Sequence, residues 1–273
     1  MKKLLVPTDF SEQADNALKV AIEIAKKRNS EIYLLHSIEL PVNLATGSSD
    51  GGLPQSLFYM KLAEKRFAEF REKDYLQDIV IHETIGRNEI YEDIDETCRN
   101  NDIDLIVMGS NGASGFKEMF VGSNTEKVVR TSETPVLVIK NNHATFEIND
   151  FVFATDFSDK FKDAFIKAKT FAEDIGAHIH LLLVNTPASF KTSAQSHELM
   201  ENFISGMDLK NYTLNVYNDT SVEKGILNFA TFIEAELIGM GTHGRKGISH
   251  FLNGSISEDI VNHIDMPIIT FKI

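Results

Sequence analysis

The 273-residue sequence has no tryptophan, a single cysteine (Cys98) and only six prolines. One cysteine excludes an intrachain disulfide framework and a multi-cysteine metal site, and it fits a reducing compartment. No apolar run reaches the ~18 residues that span a bilayer. Basic residues are in deficit, 27 Lys and Arg against 40 Asp and Glu, for a net charge of −13. That acidity argues against nonspecific binding to DNA, RNA or anionic membrane, which all need basic patches. The start, Met1-Lys2-Lys3-Leu4-Leu5-Val6, opens like a secretory leader, but Pro7, Thr8 and Asp9 end the apolar stretch at once. The expected location is therefore the cytoplasm. What remains is an ordinary globular balance, 42% hydrophobic and 25% charged. At roughly 150 residues per domain the length suggests two domains.

The two halves repeat. Thr8-Asp9-Phe10-Ser11 recurs as Thr155-Asp156-Phe157-Ser158, and Ile106-Val107-Met108-Gly109 as Ile238-Gly239-Met240-Gly241. Gly122-Ser123 recurs as Gly254-Ser255, and Thr134-Pro135-Val136 as Met266-Pro267-Ile268. The last three matches are each 132 positions apart and the first is 147 apart. The second copy is thus shorter between its first strand and its glycine loop. The Gly-, Ser- and Pro-rich stretch Leu40 to Leu57 is the expected extra loop. Preserved order indicates a tandem duplication. The expected domains are 1–140 and 150–273, joined by a polar linker at 141–149.

Each copy alternates strand and helix. Leu4-Leu5-Val6, Ile32 to Leu35 and Leu105 to Met108 are short apolar runs, as expected for strands buried on both faces. Ser11 reads as the N-cap of a helix with its period through Ala14, Leu18, Ala21, Ile22 and Ala25. Helices are expected at about 56–73 and 90–99, a third strand at 78–83 and a fifth at 135–139. The second copy places strands at 152–154, 179–184, 214–217, 237–240 and 267–271. This pattern predicts an α/β fold: two doubly wound, Rossmann-like domains, each a five-stranded parallel sheet with helices on both faces. Ligands in such sheets bind beyond the carboxyl ends of the strands, at the topological switch point.

The loop after strand four is the informative site candidate. It reads Gly109-Ser110-Asn111-Gly112, nine residues, then Gly122-Ser123; the second copy reads Gly241-Thr242-His243-Gly244, nine residues, then Gly254-Ser255. Glycines let backbone approach an anion, and successive free N–H groups make an anion-binding nest. Ser123 and Ser255, with Glu126 and Glu258 three residues on, read as capping boxes that add helix N-termini. The spacing describes a phosphate cradle; the plainer alternative is that the glycines only make tight turns. Asp9 and Asp156, ending strand one, could accept hydrogen bonds from a ribose or base, or could simply shape ordinary turns.

Rival motifs are weak. Gly239-x-Gly241-x-x-Gly244 spells a dinucleotide fingerprint, but it follows the fourth strand of its half, and Val107 stands at the first glycine of the other copy. No G-x-x-x-x-G-K-[ST] occurs, His82-Glu83 lacks the second His of a zincin, and no G-x-S-x-G elbow appears. The nine histidines are scattered, and Cys98 in its helical stretch reads as a packed thiol.

The Pro-Thr-Asp-Phe-Ser start, the strand ending Leu35-His36, the Met-Gly-Ser-Asn-Gly turn and the Gly-x2-Gly-x9-Gly-Ser spacing resemble the universal stress protein (UspA) family. The resemblance covers nearly the whole chain, as two tandem copies, and the glycine spacing matches the ATP-binding branch. It implies that Pro7, Thr8 and Asp9 border adenine and ribose, that Ser37 lies beside the base, and that Met108, Gly109, Gly112, Gly122, Ser123 and Asn124 wrap ribose and phosphates. In the second half the same roles fall to Ala154, Thr155, Asp156, Val184, Met240, Gly241, Gly244, Gly254, Ser255 and Ile256. Ala154 departs from the family's strand-one Pro, Asn111 replaces a His that His243 keeps, and Asp219-Thr220 stands where the first half has Gly86-Arg87. A carboxylate at 219 is unfavourable beside ATP unless a metal or Lys224 offsets it. Arg245 and Lys246 could supplement the second cradle or stay solvated.

The resemblance also implies that such domains pair through their fifth strands, here as an internal pseudo-dimer, with a homodimer of whole chains as a further option. The expected function is an ATP-binding stress-response regulator or adaptor with one site per half, Mg²⁺ accompanying the phosphates. The alternatives are a slow ATPase or a nucleotidyl or phosphoryl transferase on this fold, and an interaction module with vestigial sites. No catalytic residue and no resident metal are assigned.

Overall fold

A computed structural model of the chain describes residues 1–38, 52–76, 79–110, 122–140, 145–242 and 266–273. They fall into two compact units, broadly the two sequence halves; Val129–Leu137 group with the second unit.

The first half runs β1 (Lys3–Pro7), α1 (Glu12–Arg28), β2 (Glu31–Ser37), α2 (Gly52–Arg71), β3 (Ile81–Gly86), α3 (Ile90–Asn101), β4 (Leu105–Gly109), α4 (Ser123–Thr131) and β5 (Val136–Ile139). Its strands lie in the order β3-β2-β1-β4, with β5 next to β4. The β3-β2, β2-β1 and β1-β4 pairs are parallel. The second half runs β6 (Asp150–Ala154), α5 (Lys162–Ile175), β7 (His178–Asn185), α6 (Ser193–Ile204), β8 (Tyr212–Asn218), α7 (Val222–Phe232), β9 (Leu237–Thr242) and β10 (Ile268–Lys272). Its order is β10-β9-β6-β7-β8, parallel throughout. The α/β architecture expected from the alternation is present. In each half the first strand is central, because helical crossovers carry the chain to one side of it and later to the other.

The core follows from the apolar runs. Leu4, Leu5, Val6, Ile32, Leu34, Leu35, Leu105, Ile106 and Val107 are buried in the first half. Phe151, Phe153, Leu181, Leu182, Leu237 and Ile238 are buried in the second. Alanines at 14, 17, 21 and 25 give α1 a small-residue face that is also buried. Ser11 caps that helix, its hydroxyl accepting from the Ala14 N–H at 3.3 Å. The chain leaves α1 through Asn29 at φ 53°, a left-handed position that Asn tolerates. In the segment after β5 Phe146 is buried against the first unit, its N–H donating to Glu23 Oε2 at 2.6 Å and its carbonyl accepting from Lys27 Nζ at 3.2 Å.

Three local expectations are corrected. The third strand begins at Ile81, not 78, because its register on β2 runs from Ile32↔Ile81 to Ser37↔Gly86; the apolar Ile79-Val80-Ile81 run pulls a sequence reading too early. The helix expected from about 56 begins at Gly52, so the last residues of the expected loop are helical, while 39–51 lie outside the described residues. Ser123 is not an N-cap. The first helical bond of α4 runs from Glu126 N–H to the Gly122 carbonyl at 3.0 Å, which makes Gly122 the cap and Ser123 the first helical residue. Glu126 is then one position too far along to close a capping box.

Candidate functional site

The repeated Thr-Asp-Phe-Ser segments fold alike. In the first half the Phe10 N–H donates to Thr8 Oγ1 at 3.0 Å, and the Ser11 N–H to Asp9 Oδ1 at 2.9 Å. In the second half Phe157 N–H donates to Thr155 Oγ1 at 3.1 Å, and Ser158 N–H to Asp156 Oδ1 at 2.8 Å. Short polar side chains thus take the N–H two residues on, the geometry of Thr and Asx turns. Between them Phe10 (φ 63°) and Phe157 (φ 59°) are left-handed. A bulky residue there is strained. Ring burial offsets that cost: Phe157 packs edge-on against Phe203 at 5.2 Å, and Phe10 against Phe67 at 5.3 Å.

These turns sit at the carboxyl ends of the central strands. The β1 register aligns Pro7 with Leu35, and the Thr8 N–H reaches the Leu35 carbonyl at 2.8 Å. Ser37 ends β2; its Oγ is buried and takes no hydrogen bond from a described residue. Continuing the β1–β4 register from Leu5↔Ile106 brings Met108 and Gly109 alongside. The Ser110 carbonyl accepts from the Gly122 N–H at 2.7 Å, and the Gly109 carbonyl from Thr125 Oγ1 at 2.9 Å. These two bonds hold the start of α4 against the end of β4. They also show that the Gly122 amide is already used. The donors that α4 offers without an intrahelical acceptor are the N–H groups of Ser123, Asn124 and Thr125. Gly112, like Asn111, lies outside the described residues.

In the second half Ala154 aligns with Leu182 on one side and Met240 on the other. A cavity of about 450 Å³ opens there, bringing together Ala154, Thr155, Asp156, Val184, Met240 and Gly241 of the predicted set. Gly244, Gly254, Ser255 and Ile256, with His243, Arg245 and Lys246, lie outside the described residues. Phe161, Leu182, Leu183, Ser189, Lys191, Val222, Glu223 and Ile226 complete the lining. Sequence reasoning missed these eight. Val222, Glu223 and Ile226 were findable, since Ser221 caps α7 and a doubly wound sheet sets such helix starts at the strand ends. Ser189 and Lys191 carry no motif.

Two glycines have a cause other than ligand approach. A Cβ on Gly109 would come within 2.8 Å of the Gln13 carbonyl oxygen, and one on Gly241 within 2.6 Å of the Phe161 ring. Strand four is glycine at these points because the segment after strand one packs directly against it.

The electrostatics differ between halves. Burial pushes the Asp156 carboxyl up, but hydrogen bonds from Ser158 and the Lys160 ammonium, 3.3 Å away, outweigh it and hold the group below the usual carboxylate range. Burial lowers the His36 imidazole, Arg66 adds to this, and the Thr8 carbonyl and Asp9 oppose it only in part. The His36 Nδ1 lies 2.8 Å from the Thr8 carbonyl, which can only accept, so Nδ1 carries the proton. Asp219 is not among the cavity residues. Its oxygens take the Thr220 N–H at 2.6 Å and Asn228 Nδ2 at 2.8 Å. The carboxylate that seemed unfavourable is spent on the loop before α7. Among the described residues no group of three or more His, Cys, Asp or Glu could hold a metal, and no helix is long and apolar enough to cross a membrane.

A model described as the universal stress protein family matches residues 1–140 and 215–272. A universal stress protein of Methanocaldococcus jannaschii is 33% identical over 159 residues, 52% of this chain and 97% of that protein. A universal stress protein of Synechocystis is 23% identical over 300 residues and matches end to end, covering 100% of each chain. Among solved structures, a universal stress protein from Archaeoglobus fulgidus superimposes with a TM-score of 0.70 at 25% identity, covering 99% of this chain and 96% of that one.

Proposed function

Because the chain belongs to the universal stress protein family, we propose that it binds ATP at the carboxyl ends of the strands in each half and acts as a nucleotide-dependent regulator or adaptor in stress adaptation. The observation that carries this reading is the second-half cavity. Its volume falls within the ~300–1,000 Å³ of small-molecule sites, and six residues that the family resemblance assigns meet in it. Its walls suit the parts of a nucleotide. Ala154, Leu182, Leu183, Val184, Ile226 and Met240 offer apolar surface for a flat base. Thr155, Ser189, Glu223 and Lys191 offer polar contacts. In the first half the buried Ser37 Oγ, which has no hydrogen-bond partner among the described residues, is a further group for a ligand to satisfy. Mg²⁺ accompanying the phosphates would be held mainly by their oxygens, and a cytoplasmic location belongs to the same reading.

Binding rather than turnover is favoured by Asp156, whose carboxylate is held by Ser158 and Lys160 instead of standing ready to take a proton. Two measurements test the proposal. Purified protein denatured with acid should release adenine nucleotide, up to two equivalents. Calorimetry on Gly122→Val combined with Gly254→Val should show ATP binding abolished, since branched side chains would crowd both cradles. ATP binding retained in that double variant would overturn the assignment.

A further inference from the structure

We propose that His178 and His180 form a binding site for a nitrogen-preferring divalent metal ion of the zinc class, at the amino ends of the second-half strands and so opposite the cavity. The two histidines stand two residues apart on β7, and their side chains share one face of the strand. Their ring centroids are 4.4 Å apart. Parallel pairing sets Asp150 beside His178 and Thr213 beside His180. One nitrogen of each ring is held by an oxygen that only accepts. His180 Nε2 lies 2.8 Å from Asp150 Oδ1, and His178 Nδ1 lies 2.6 Å from Asn211 Oδ1. Those nitrogens carry the ring protons, which in neutral rings leaves lone pairs on His180 Nδ1 and His178 Nε2. Both lone pairs converge on one atom, Thr213 Oγ1, at 2.9 and 3.4 Å.

A hydroxyl has one proton and can serve only one of these nitrogens. Its oxygen is engaged as well, accepting from Asn215 Nδ2 at 3.0 Å. A metal ion supplies what the hydroxyl cannot, because it takes both lone pairs at once. The outer contacts have the form that metal sites require: a ligating histidine gives its second N–H to a carboxylate or a carbonyl oxygen, which fixes the ring and raises its basicity. Here Asp150 and Asn211 fill those roles. Glu236 accepts the Asp150 N–H at 2.8 Å and adds a second carboxylate to the surroundings, which favours a cation. Thr213 is exposed, so the ion has a way in from solvent. Imidazole nitrogens select zinc, copper or nickel over magnesium and calcium, which prefer oxygen. The site offers two histidines rather than a group of three, so solvent completes the coordination and the ion is exchangeable.

Calorimetric titration of the metal-free, nucleotide-free full chain with Zn²⁺ tests this. His178→Ala and His180→Ala should each remove one zinc equivalent, whereas His197→Ala, on the exposed face of α6, should leave it in place. Asp150→Ala should weaken the same equivalent about 10–100-fold, the weight of an outer partner. Mg²⁺ should not compete for it. Ring ¹⁵N spectra of the wild type need no substitution: Zn²⁺ should move the His178 Nε2 and His180 Nδ1 signals and leave the other two nitrogens protonated. Zinc stoichiometry unchanged in both histidine variants, or ring signals that Zn²⁺ does not move, would overturn the site.

Discussion

The two halves carry the same four-residue turn at the end of their central strands, yet surround it differently. In the first half Phe10 is half-buried and leans on His36 at 4.7 Å, with Phe67 and Phe70 beyond. In the second half Leu183 stands at the position aligned with His36, and Phe157 is almost wholly buried against Phe203. The loop after the third strand differs too. Buried Asp93 closes it in the first half by accepting the Asn88 N–H and side-chain amide, whereas Gly225 occupies the aligned position in α7. Duplication has kept the backbone device and let its packing drift. A left-handed aromatic survives in both halves because the flanking Thr and Asp side chains hold the turn and each ring is packed, though against different neighbours.

The largest expected effect separates the two aromatics. Phe157→Ala should destabilise its half by about 3–5 kcal/mol, the cost of emptying a buried aromatic site. Phe10→Ala should cost clearly less, because Phe10 is only half-buried. Hydrogen exchange resolved along the chain would read each half by itself. Equal losses would show that the turn, not the packing, sets the stability of both.

The next contrast lies one residue on. Ser11 caps α1 with its hydroxyl, so Ser11→Ala should cost about 1 kcal/mol in denaturant unfolding. Ser158 precedes a 3-10 turn, Asp159–Phe161, and makes no capping bond, so Ser158→Ala should cost less. A reversed order would remove the distinction between the two helix starts.

The subtlest contrast is one of pH. Because the folded His36 imidazole is depressed below its ordinary value of 6.5, the unfolded chain binds more protons in the interval between. The neutral side chain's stabilisation is complete above 6.5 and is lost as pH falls through the folded value. Lowering the pH from about 7.5 to about 5 should therefore loosen the first half more in the wild type than in His36→Leu, which copies Leu183. Identical pH slopes would exclude His36 as the source.

Much of this was legible before any coordinates. The repeat, the buried runs of β1, β2 and β4 and the Ser11 cap follow from short-range patterns, and the rule that doubly wound sheets bind at their carboxyl edge pointed to Asp156 and Gly241, whereas Val184 and Met240 entered through the family resemblance. Errors arose where a pattern was compatible with two registers. Ile79-Val80-Ile81 gives no internal sign of where pairing with β2 begins. Ser123 and Glu126 have the spacing of a capping box, but one hydrogen bond to Gly122 shifts the helix start.

Order along the chain alone determined the parallel, twice-repeated scaffold and the neighbourhood of its site, because alternating helix and strand leave few topologies open. Only the tertiary structure decided that Gly109 and Gly241 are glycine to admit Gln13 and Phe161, that Asp219 serves its own loop, and that Lys191 lines the cavity. The glycine contacts and the place of Lys191 join segments distant in sequence, and the Asp219 bonds depend on how its loop closes on α7, so no local pattern encodes which atoms meet.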